Sequence, residues 1–201
     1  SIKSEIFKTS SLIPFKVAIR LQLCLLFGIV LADITNHGVT TVRILEIGPE
    51  STDWYGRQLD PAYPRSFTLE DIDGKPIMCQ SIMSALLAHT TPELADQKRF
   101  AAMEPQKFKT LFMFYLKQWQ KSQRLHWARQ KFLRESDEWD ARVHHIFRQA
   151  LEQDDTLRSA LQATTGYRYC SIERPRNPRE TLLTRWELLA ILYDLRDLVR
   201  V

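Results

Sequence analysis

Residues 73–90 read DGKPIMCQSIMSALLAHT, and how this stretch divides decides the fold. Asp73-Gly74 is a turn signal, and the MSALL further on has the apolar character of one side of a helix. The expected order is turn then helix, with the uncharged Cys79-Gln80-Ser81 at the helix start. A helix N-terminus after a turn suits a bound anion or a catalytic acid, because its first N–H groups have no intrahelical partner. Ser81 has no nearby histidine in sequence to act as its base, so a serine nucleophile is weakly supported. Cys79 at a helix start could be a reactive thiol, but a small buried thiol is the preferred reading.

Upstream, TTVRILEIG (40–48) alternates as a strand does, with Val42, Ile44 and Glu46 on one side. Residues 49–66 hold Pro49, Pro61 and Pro64 and read as an ordered loop, followed by a short strand in SFTLEDI (66–72). Helices dominate downstream. Thr91-Pro92-Glu93 offers an N-cap, a first-turn proline and an early acid. Pro105 restarts the chain into a segment running to residue 122. Ser136 caps DEWDARVHHIFRQAL, and Asp155 caps TLRSALQAT, which stops at Gly166. Thr184 and Glu187 form a capping box before WELLAILYDLRDLV, where Leu188, Ile191, Leu195 and Val199 make one apolar stripe. The expected fold class is α+β, a predominantly α-helical single domain with a small β-sheet near its N-terminal side.

At 201 residues the chain can bury one sizeable core, with or without an arm. Only six glycines, and no GxGxxG or GxxxxGK[ST] pattern, argue against the glycine-rich routes to dinucleotide or phosphate binding. A net charge of +4 is compatible with a phosphate-bearing partner without demanding one. Cys24, Cys79 and Cys170 are far apart and odd in number, with no CxxC pair. His144 and His145 are adjacent, so on a helix they point about 100° apart and cannot chelate one ion. No metal site or disulfide framework is expected, and a reducing compartment such as the cytoplasm is the default.

Residues 1–38 form an apolar arm, or a targeting-like segment, ahead of a domain at 39–201. LQLCLLFGIVLA (21–32) follows Lys16 and Arg20 and ends at Ala32, as a signal-peptide core with its small residue would. It is short for a membrane span. A buried or interface segment is preferred over a targeting signal or a membrane-facing arm, and a protein partner covering residues 17–34 would suit it.

Between Gln106 and Arg134, eight basic residues occur without an acid: Lys107, Lys109, Lys117, Lys121, Arg124, Arg129, Lys131 and Arg134. Phe108, Phe112, Phe114, Tyr115, Trp119, Trp127 and Phe132 interleave with them. Cations beside aromatic platforms suit nucleic acid. An amphipathic helix with aromatics inward is preferred, because Glu135, Asp137, Glu138 and Asp140 follow at once and cancel much of the field. Glu70, Asp71 and Asp73 are close enough for paired-carboxylate chemistry on a glycosidic bond, although turns attract acids anyway.

Taken in order, the pieces resemble the NADAR family of ADP-ribose-linked N-glycosidases over residues 41–198. EWDARVHHIFRQALEQDDTLRSALQATTGYRYC (138–170) and NPRETLLTRWELLAILYDLR (177–196) carry the family's closing pattern of Trp-led helix, second helix, short strand and last helix. Upstream, TVRILEIG, WYG, LDPAYP and DGKPIMCQSIMSALLA fall in the family's order of strand, loop, Leu-Ser-Asn-Phe-Tyr-Pro segment, Asp-Gly turn and helix. The resemblance implies a mostly helical fold with a small sheet, an ADP-ribose-sized cleft and hydrolysis without metal or cofactor. It also implies ligand contacts from Asp60, Tyr63, Ser81, Trp139, Arg179 and Glu180. The chain departs from the family at the helix after Asp-Gly. The family's catalytic Glu falls at Ser81, and shifting the register by one gives Gln80 or Ile82.

A hydroxyl cannot protonate a leaving base or steady an oxocarbenium ion as a carboxylate does, and losing a general acid costs about 10²–10⁴ in rate. The expectation is therefore a divergent, catalytically degenerate NADAR-like domain that binds a nucleotide or ADP-ribose-type ligand, or a partner macromolecule. The rivals are an active N-glycosidase with a relocated acid at Glu70, Asp71 or Glu138, and a structural subunit of a larger assembly.

Overall fold

A computed structural model describes residues 42–71, 73–107 and 116–200. The arm, Lys109 and the aromatics between Phe108 and Tyr115 lie outside them. The described chain is α+β, with its strands in three two-stranded units.

Strand β1 (Ile44–Glu46) lies parallel to β6 (Arg168–Cys170), Leu45 opposite Tyr169. Val42, Ile44 and Glu46 do share a side, but it is the exposed one, and Leu45 and Ile47 enter the core. The expected loop at 49–66 contains helix α1 (Trp54–Gln58), capped by Asp53 through the Tyr55 N–H at 2.7 Å. One turn is too short to leave a 3.6-residue period. Gly56 faces the Glu46 carbonyl so closely that any Cβ there would overlap it, which seats α1 on β1.

The stretch at 73–90 divides differently from the expectation. Strand β2 (Phe67–Glu70) and β3 (Pro76–Cys79) form an antiparallel hairpin closed by the Asp71–Lys75 turn. Asp71 Oδ1 accepts the Asp73 and Lys75 N–H groups, both at 2.9 Å, while Gly74 takes φ 70°. PIMC is therefore a strand with Ile77 and Cys79 inward, not the start of a helix. Helix α2 (Ile82–Ala88) opens only after Ser81.

Helix α3 (Leu94–Ala101) has Glu93 at its N-cap rather than Thr91; the Thr91 hydroxyl instead accepts the Glu93 N–H at 3.4 Å. Residues 105–107 form a 3₁₀ turn and 116–122 are helical. The amphipathic-helix reading of the basic segment ends there. Strands β4 (Arg124–Trp127) and β5 (Gln130–Leu133) form a second hairpin. With β6, strands thus also lie well beyond the N-terminal side.

Ser136 caps α4 (Asp137–Gln153), as expected. Asp154, not Asp155, caps α5 (Asp155–Ala163), and it also ends α4, so one extended residue separates two helices. Helix α6 (Arg185–Leu198) opens on the Thr184–Glu187 capping box, with Leu188, Ile191 and Leu195 buried. Central helix α4 packs on β2, α2, α5, α6 and β5. Between α2, the second hairpin and α4, His89 is stacked on Trp127 with ring centres 4.5 Å apart. Its Nδ1 lies 2.7 Å from the Ala85 carbonyl, and Arg142 Nε donates to its Nε2 at 3.0 Å.

Candidate functional site

Three segments far apart in sequence meet around a cleft of about 260 Å³, lined by Met83, Leu116, Arg174, Pro175, Glu180 and Thr181 together with Leu182. Met83 stands in the first turn of α2, and its N–H donates to the Pro61 carbonyl at 2.8 Å, drawing the 60–64 turn against the helix start. In that turn Asp60 Oδ1 accepts the Ala62 N–H at 2.6 Å, and its Oδ2 accepts Arg174 Nη2 at 3.0 Å. Asp60 is 2% exposed, so the pair is held out of water on the carboxylate side. The buried Arg174 Nε makes no hydrogen bond among the described residues. A cleft wall thus carries the Arg174 guanidinium, its Nη2 held by Asp60 and its Nε closed off from solvent. Further along the same segment, Glu180 accepts a hydrogen bond from Asn177 Nδ2 at 2.9 Å, and Gln120 Nε2 donates to its carbonyl at 3.0 Å.

Of the residues expected to bind ligand, Glu180 lines this cleft and Asp60 holds one of its walls. Ser81 lies two positions before Met83 but turns inward. Its hydroxyl accepts the Ser84 N–H while the Ser84 hydroxyl accepts the Ser81 N–H, both at 2.9 Å. Ser81 is a fully buried cap, not a cleft wall. Trp139 is 1% exposed and edge-on to His89, within the core. Tyr63 is half-buried, its ring edge-on to Trp54 at 6.3 Å with the Arg65 guanidinium over it. Arg179 is exposed and pairs with Glu135 at 3.4 Å.

The relocated acids do not reach the cleft either. Exposed Glu70 offers its carbonyl to Trp127 Nε1 at 3.0 Å. Asp71 organises the hairpin turn, and the Lys75 N–H, the Asp73 N–H and nearby Lys98 hold its carboxyl below the usual range despite burial. Glu138 is held low by its own backbone N–H and by the Ser136 hydroxyl at the start of α4. A general acid needs the opposite shift, one that retains its proton near neutral pH.

The basic segment separates in the same way. Arg134 is 1% exposed and makes a two-pronged ion pair with Glu187, Nη1 to Oε1 at 3.0 Å and Nη2 to Oε2 at 2.6 Å. Its Nε donates to the Thr181 carbonyl, so its role is structural. Lys107 pairs with Glu104 at 3.1 Å. Lys117 and Lys121 are exposed on the 116–122 helix, and Arg124, Arg129 and Lys131 on the second hairpin. Trp119, Trp127 and Phe132 are buried, so these rings are core side chains, not stacking platforms.

Burial pushes the Cys79 thiol up to about 12, against any thiolate role. Among the described residues no cluster of three or more His, Cys, Asp or Glu could hold a metal, and no helix is long and apolar enough to cross a membrane. Sequence reasoning missed Arg174 and Met83. No spacing signals them, because the Asp60–Arg174 pair joins positions 114 residues apart. Compared with protein-family models, curated proteins and solved structures, the chain finds no match.

Proposed function

We propose that this chain is a divergent NADAR-like domain that binds the phosphate-bearing part of a nucleotide or ADP-ribose-type ligand without the family's glycosidase chemistry. The carrying observation is Arg174: a cleft-lining guanidinium anchored by buried Asp60. A guanidinium of this kind matches phosphate oxygens in charge and geometry. The cleft volume of about 260 Å³ lies below the roughly 300–1,000 Å³ typical of sites that engulf a ligand, which favours gripping a ribose-phosphate portion. The resemblance over residues 41–198 supplies the ligand class, and Ser81 at the family's acid position argues against hydrolysis.

Calorimetric titration with ADP-ribose tests this reading. Binding with Kd below about 1 mM is expected. Arg174→Lys keeps a charge for Asp60 but loses the fork, and should weaken binding about tenfold, the equivalent of one charge-assisted hydrogen bond. No binding at millimolar ADP-ribose overturns the proposal. An active N-glycosidase is the second reading, favoured by the Glu180 carboxylate on the cleft wall. Release of ADP-ribose from ADP-ribosylated guanosine, lost in Glu180→Gln, would establish it instead.

A further inference from the structure

The second hairpin carries a surface that the cleft does not use. Antiparallel pairing sets Arg124 opposite Leu133 and His126 opposite Lys131, so these four side chains share the face turned away from Leu125 and Phe132. Arg129 adds a cation at the tip. Arg124, Arg129 and Lys131 are exposed, and none makes an ion pair among the described residues. An open hollow of about 350 Å³ runs along Arg124, Lys131, Phe132 and Leu133.

The turn itself is costly. Ala128 and Arg129 take left-handed backbone at φ 47° and 69°, where two-residue hairpins ordinarily use Asn-Gly. Side chains in that conformation are strained, and strain of this kind concentrates at functional sites. The base of the hairpin is fixed. Gln123, at φ 54°, accepts the Arg134 N–H on its carbonyl, and its Nε2 donates to the Arg179 carbonyl at 3.1 Å.

We infer that the outer face of this hairpin, through Arg124, Arg129 and Lys131, binds the phosphate backbone of a single-stranded nucleic acid. Arg124 and Lys131 lie diagonally across neighbouring strands and Arg129 lies beyond them at the tip, so the three cations follow one another along the hairpin as phosphates follow one another along a strand. Two of the three cations are arginines, suited to phosphate oxygens. Exposed Leu133 is the face's single large apolar side chain, too little to insert into a bilayer. The inference stands independently of the cleft.

Fluorescence anisotropy with a short labelled single-stranded oligonucleotide tests it. Three phosphate contacts predict roughly a 20-fold loss of affinity between about 50 and 200 mM salt, at about 0.7 in slope per contact. Arg124→Ala/Lys131→Ala should reduce the magnitude of that slope by about 1.4. Ala128→Asn/Arg129→Gly should raise the melting temperature while still weakening oligonucleotide binding, a split that a purely structural turn would not produce. Both variants should leave the ADP-ribose titration unchanged, which separates failure here from failure at the cleft. Unchanged oligonucleotide affinity in both variants overturns the inference. So does binding to vesicles of anionic phospholipid in place of the oligonucleotide.

Discussion

Ser81 closes the N-terminus of α2 through a reciprocal pair of hydrogen bonds with Ser84, in a fully buried setting. Replacing it with alanine removes the acceptor for one N–H and should lower unfolding free energy by about 1–2 kcal/mol in urea. Ser81→Glu should cost more, since a carboxylate would enter a space that holds only a hydroxyl, and no glycosidase activity should return. ADP-ribose release by a stably folded Ser81→Glu protein would contradict that. The sequence showed at this position that no carboxylate was present. It did not show that the side chain points inward, because Ser84, the partner that turns it, fits the helix pattern equally well as an ordinary small residue.

At the scale of elements, the second hairpin is tied to α6 by Arg134 and Glu187. Burial alone would push the Glu187 carboxyl up. The Arg134 guanidinium and the Thr184 cap overcome this and hold it below its ordinary value. Removing Arg134 leaves the partly buried Glu187 carboxylate without its counter-charge. Arg134→Ala should therefore cost about 3–5 kcal/mol in chemical denaturation, whereas Arg134→Met/Glu187→Gln should recover part of the loss. An Arg134→Ala protein as stable as the parent would show that the pair carries no weight. Helices capped by Ser136 and by Thr184 with Glu187 were legible, since caps and stripes lie within a few residues of each other. Strands were not. Segments of three or four residues leave too short an alternation, and the basic, aromatic run at 124–133 masks its inward Leu125, Trp127 and Phe132 among charges.

Across the whole molecule, acid should weaken the fold in two stages. His89 is fully buried, and burial together with Arg142 keeps its pKa well below the ordinary 6.5. The unfolded chain then binds a proton near pH 6.5 that the folded chain refuses, so stability is complete above that value and declines as pH falls below it. His126 and His145 are shifted the same way and add to this stage. Glu187, held below 4.5, stabilises above that pH, and its contribution is lost as pH falls further. Urea unfolding across this range should show both declines, and stability that stays flat from 6.5 to 4.5 would refute the first. By itself the sequence determined the α+β class, the helices capped by Ser136 and by Thr184 with Glu187, and the absence of a carboxylate at 80–82. Each depends on residues close together along the chain. Only the tertiary structure decided that β1 runs parallel beside β6, that Arg134 is a core cation, and that Asp60 holds Arg174 at a cleft. Those contacts join positions from 53 to more than 100 residues apart, so the path of the chain selects them, not local pattern.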